Sequence, residues 1–69
     1  MGWRSSTNEL EVFSEDLAEN MQFLVDNLHS VTDLVGATAI CEHYEEYGSL
    51  SNSQLKKALE YWREAQDNS

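Results

Sequence analysis

Cations are scarce in this sequence: four Lys and Arg stand against thirteen Asp and Glu, a net charge of −9 over 69 residues. Free nucleic acid and anionic membranes are therefore poor partners, because phosphate contacts need positive side chains. Cysteine is nearly missing as well. Cys41 alone allows no internal disulfide, and a single thiol fits a reducing compartment such as the cytosol. No Cys/His cluster has zinc spacing. No stretch reaches the roughly 18 apolar residues of a membrane span, and Met1-Gly2-Trp3-Arg4 has no apolar run of signal-peptide type. A soluble, cytoplasmic protein is expected. Proline is absent too, and with 41% apolar residues, two Trp and three Tyr this argues for an ordered core over disorder.

A chain this short is one domain and buries only about 60% of its unfolded surface. With disulfides and structural metal set aside, regular helix packing and self-association remain as sources of stability. The chain is read as a lead-in at 1–5 with Trp3 unplaced, a helical domain at 6–66 and a short tail at 67–69.

Ser6 and Glu9 have capping-box spacing, in which a hydroxyl accepts from an orphan amide and a carboxylate reaches back. Leu10, Phe13, Leu17, Met21, Leu24 and Leu28 then recur at steps of three and four, one face of a helix. A continuous helix over about Asn8 to Leu28 would be roughly 31 Å long. Ser14-Glu15-Asp16 offers a second start, so a break at Ser14 is the alternative. His29 to Thr32 reads as a turn with Ser30 or Thr32 as the next cap. Leu34, Ala37, Ile40, Cys41, Tyr44 and Tyr47 form the apolar face of the second helix, with Glu42, His43 and Glu46 turned away. Gly48 sits where a left-handed C-cap residue belongs. Ser51 and Gln54 make a second capping box, with Leu50 and Leu55 as its hydrophobic staple. The third helix runs to about Gln66 and buries Leu55, Ala58, Leu59, Trp62 and Ala65. The spacing thus predicts an all-α three-helix bundle with antiparallel neighbours and possible self-association. Its expected core is Leu10, Leu17, Met21, Leu24, Leu28, Leu34, Ile40, Tyr44, Leu55, Leu59 and Trp62.

Chemistry is hard to place on this pattern. A Cys41-His43 pair on one helix points its members about 200° apart, and Cys41 lies on the apolar face, so packing is preferred over nucleophilic catalysis. Glu42, His43, Glu45 and Glu46 crowd one segment, but their spacing matches no metal loop and a solvated face is the simpler reading. No enzyme activity, cofactor or metal is expected. A helix-turn-helix over 34–66 would put Lys56, Lys57 and Arg63 on its second helix. Glu60 and Glu64 are interleaved with them, as in a Lys56-Glu60 surface pair, and the rest of the chain would repel DNA.

Residues 1–46 hold ten acids and one cation, Arg4. Glu11, Glu15, Glu19 and Asp26 fall in a narrow arc of the first helix, and Glu42, Glu45 and Glu46 join them from the second. A one-signed field steers basic surfaces toward the chain, although acids also serve solubility. Val12 and Phe23 on the first helix, and Val35 and Ala39 on the second, lie off the main apolar faces. Helices apolar on more than one side suggest contact with a partner or a second copy.

From Ala37 to Ala65, the run of Tyr44 and Tyr47, Gly48-Ser49-Leu50-Ser51, Gln54-Leu55, Leu59 and Trp62 resembles a helix-hairpin element of small phage-encoded and mobile-element proteins. The resemblance covers less than half of the chain and implies no catalytic residue. It implies a context in which tiny acidic proteins bind and inhibit a host enzyme or defence complex in the host cytoplasm, some by imitating the charge of DNA. The leading expectation is a protein-binding inhibitor or modulator that offers Glu11, Glu15, Glu19, Asp26, Glu42, Glu45 and Glu46 to a basic surface. The alternatives are a structural or regulatory homo-oligomer, such as a dimer, built on Val12, Phe23, Val35 and Ala39, and a helix-turn-helix regulator that binds DNA directly.

Overall fold

The computed structural model describes residues 9–68, and these form four α-helices and one 3-10 turn. They are α1 (Glu9–Glu15), α2 (Leu17–Asp26), the turn Leu28–Ser30, α3 (Leu34–Tyr47) and α4 (Asn52–Asn68). The lead-in at 1–5, Trp3 and Ser6, the expected capping partner of Glu9, lie outside the described residues.

The expected continuous first helix is two helices, broken at Asp16 (φ −110°, ψ 36°). Short polar side chains compete with the helix ladder by bonding to nearby backbone, and that happens here on both sides of the break. The Ser14 hydroxyl donates to the Glu11 carbonyl at 2.9 Å. Asn20 Nδ2 donates to the Phe13 carbonyl, also at 2.9 Å, satisfying an acceptor near the end of α1. The bend lets α1 and α2 each pack against α4. Fourth and first helix are tied further by an edge-on contact of Phe13 with Trp62, ring centroids 5.4 Å apart.

α2 closes on Asn27, whose Nδ2 donates to the Phe23 carbonyl at 2.8 Å. The 3-10 turn then occupies part of the expected His29–Thr32 turn. Asp33, rather than Ser30 or Thr32, caps α3: its Oδ1 accepts from the Gly36 amide at 3.1 Å. The hairpin beyond α3 follows its local signals closely. Gly48 takes the left-handed conformation (φ 72°), and its amide donates to Tyr44. At the start of α4 the Ser51 amide donates to Gln54 Oε1 at 2.9 Å, and the Gln54 amide donates to Ser51 Oγ at 3.3 Å. Such a cap is worth about 0.5–2 kcal/mol. α4 runs two residues past the expected Gln66, and Asn68 donates to the Ser30 carbonyl.

The buried core comprises Phe13, Met21, Leu24, Val31, Ala37, Ile40, Cys41, Ala58, Tyr61 and Ala65. Leu17, Leu28, Tyr44, Leu55, Leu59 and Trp62 pack around its margin. Two residues of the expected apolar faces are displaced. Leu34 is 50% exposed because it begins α3 beyond the edge of the core, and Tyr47, in the last turn, is 66% exposed. Tyr61 replaces them from α4, where Ala58, Tyr61 and Ala65 share one stripe at steps of three and four.

Candidate partner-binding surface

The seven acids singled out from the sequence all project from the exposed faces of α1, α2 and α3. Between Glu9 and Ser51 there are ten acids and no Lys or Arg. Glu9 is engaged by Arg63 Nη1 at 3.2 Å, and Asp33 by Gly36 and Tyr61. Asp26 accepts from Gln22 at 3.1 Å. The carboxylates of Glu11, Glu15, Glu19, Glu42, Glu45 and Glu46 form no hydrogen bond or ion pair with another described residue. They are free to meet something else.

The apolar residues expected beside them divide. Val35 is 82% exposed, and Ala39 and Val12 are exposed too. Phe23 is not available: it is half-buried and packs against the core, because the bend at Asp16 turns α2 onto α4. Val12 instead lines a groove of about 340 Å³ with Glu9, Phe13, Asp16, Asn20 and Trp62.

A second hollow, of about 90 Å³, lies between α2 and α3. Met21 and Cys41 form its buried floor, and Ala18, Val25 and Tyr44 its apolar wall. Gln22 and Glu45 complete the lining. No spacing rule pointed to this hollow, because it depends on how two helices are set side by side.

Cys41 is buried, and burial pushes its thiol above the ordinary value, with Glu45 and Glu42 adding to the effect. His43, expected to face away from the core, is half-buried, with its ring centroid 4.5 Å from that of Tyr47 and its Nδ1 buried without a partner. Among the described residues, no group of three or more His, Cys, Asp or Glu is placed to hold a metal ion. None of the described helices is long and apolar enough to cross a membrane.

On α4, Lys56 and Lys57 are exposed, while Arg63 is committed to Glu9. The polar node that sequence reasoning missed is Asp33, whose Oδ2 accepts from the Tyr61 hydroxyl at 2.8 Å. The only local hint of it was an acid standing three residues before Gly36. The Thr32 hydroxyl donates to Glu64 one turn further along α4. No family model, curated protein or solved structure matches the chain.

Proposed function

We propose that the chain is a non-catalytic protein-binding module, an inhibitor or modulator whose first three helices offer an acidic face to a basic surface. Nucleic-acid-handling machinery is the natural class of partner, since its phosphate-binding surfaces are the most basic ones available to an acidic chain, and a carboxylate array imitates DNA charge. The observation that carries this reading is the set of ten acids without one Lys or Arg from Glu9 to Ser51, seven of which have carboxylates with no hydrogen bond or ion pair to another described residue. Such a field raises encounter rates with cationic surfaces and holds off acidic ones. A phage or mobile-element origin would suit the role and belongs to the same proposal.

The test uses the full chain as bait in a host lysate beside a triple variant, Glu11→Lys, Glu15→Lys and Glu19→Lys. Retained proteins should be lost with the variant while its helicity by circular dichroism is unchanged, and added duplex DNA should release them. Retention that survives the charge reversal discards the proposal.

The exposure of Val35 beside Ala39 favours a second reading, a homo-oligomer in which the acids only solubilise. Light scattering at high micromolar concentration separates the two, because that reading requires a mass above the 7.9 kDa of one chain.

A further inference from the structure

The hollow between α2 and α3 belongs to a longer trough. Ala18, near the start of α2, shares it with Tyr44 and Glu45, near the end of α3, so the two helices run antiparallel along it. Its volume of about 90 Å³ leaves room for the tip of one apolar side chain. On α3, Leu34, Thr38, Cys41 and Glu45 follow at steps of four, three and four, which puts half-exposed Leu34 on the same face as the hollow. Ala18 and Val25 on α2 are exposed two turns apart. Apolar surface therefore continues from the hollow toward Leu34 at the start of α3.

The shape and the charge together specify an occupant. A trough between two antiparallel helices accepts a third helix by ridge-into-groove packing, read as apolar anchors at i, i+3 or i+4 and i+7. The flanks are acidic: Glu19 and Asp26 follow the two exposed apolar positions of α2, Glu42 follows Cys41, and Glu45 stands in the wall. A second copy would bring the same carboxylates to face these, and like charges opposed across an interface disfavour it. We propose that the α2–α3 trough is the docking site for a basic amphipathic helix of a partner protein. One apolar side chain of that helix fills the hollow, and Lys or Arg on its flanks meets Glu19, Asp26, Glu42 and Glu45. This deepens, and rests on, the reading of the chain as a module that binds basic proteins.

The experiment uses two synthetic peptides of about 14 residues, roughly 21 Å as a helix, made of Leu and Lys in identical numbers. One has its Leu residues at helical spacing, and the other has them scrambled. Each is titrated into the isotope-labelled full chain at about 0.15 M salt and followed by amide shifts. The amphipathic peptide should bind about tenfold tighter than the scrambled one, a factor one anchoring side chain can supply. Its shifts should concentrate at Ala18, Gln22, Val25, Thr38 and Cys41. Ala18→Phe, a solvent-facing change that fills the hollow, should reduce binding to the scrambled level with helicity retained. Val25→Lys, at another exposed position, should do the same by placing a cation in the trough. Equal binding of both peptides, unaffected by either variant, overturns the trough while leaving the acidic-face reading standing. Failure of both peptides to bind overturns the two together. Self-association that shifts the same amides on concentration gives the trough to a second copy and overturns the proposal.

Discussion

Asp33 joins the start of α3 to the second half of α4 through three atoms, and its chemistry gives that joint a pH dependence. The Tyr61 hydroxyl first, and the Gly36 amide second, hold the Asp33 carboxyl below its ordinary 3.8. The same hydrogen bond, with burial next, pushes the Tyr61 hydroxyl above its ordinary 10.0. A depressed carboxyl contributes stability that is present above the unfolded value and lost as pH falls through the folded one. A raised phenol contributes stability that is present below its unfolded value and lost as pH rises through the folded one. The joint is therefore intact from about pH 4 to about pH 10 and weakens outside those limits. Solvent around Asp33 keeps the effect modest. Tyr61→Phe should flatten both flanks of the urea midpoint plotted against pH; profiles that superimpose on the unmodified protein would refute the linkage. Gly36 serves the same joint by leaving room for it. A Cβ there would stand 2.5 Å from Asp33 Oδ2 and closer still to the Tyr61 hydroxyl. Alanine ordinarily gains about 0.5–1 kcal/mol over glycine inside a helix, but crowding of this kind costs about 1–3 kcal/mol. Gly36→Ala should thus lower stability by about 1 kcal/mol, with an increase in the urea midpoint as the contrary result.

Among the helices, the joint between α1 and α2 is bridged by the Asn20 side chain, which donates across the break to the Phe13 carbonyl. Removing a hydrogen bond of this type costs about 1 kcal/mol. Asn20→Ala should therefore speed amide exchange throughout α1 while leaving the α3–α4 hairpin protected; uniform acceleration would mean that α1 has no separate opening. Which joints were legible in the sequence follows from how local their causes are. The Gly48 cap and the Ser51–Gln54 box each need only neighbours within a few residues, and they form as their spacing says, while Leu50 and Leu55, the expected staple, both pack against the core. A break was visible as an alternative at Ser14, which suits a helix start; the structure places it two residues on, at Asp16, and keeps Ser14 inside α1. Periodicity could not decide it, because Leu10 to Leu28 keeps its phase through the bend. Tyr61 and Phe23 were misplaced for a related reason: a helix wheel gives the width of an apolar face but not which edge of it meets a neighbour. The trough between α2 and α3 was beyond sequence reasoning altogether, being a property of two surfaces and not of either one.

At the scale of the whole molecule, a charge of −9 sits on a body measuring 38 × 27 × 18 Å. In about 0.01 M salt the screening length is about 30 Å, so nearly every carboxylate feels every other; in about 1 M salt it is about 3 Å. Opposing this repulsion among the described residues is a single exposed ion pair, Arg63 with Glu9, and such pairs contribute about 0–1 kcal/mol. Repulsion among many exposed acids therefore outweighs the attraction that salt also weakens. Screening should stabilise the fold: between those two salt concentrations the melting temperature should rise by several degrees, since about 1 kcal/mol shifts a domain of this size by about 4–8 °C. Association with a basic partner should respond with the opposite sign, weakening over the same range as its attraction is screened. Two salt titrations of one sample, the first followed by melting and the second by binding of the amphipathic peptide, check both signs. A melting temperature that falls with salt would mean that attractive pairing, and not an uncompensated acidic face, governs the electrostatics of this chain.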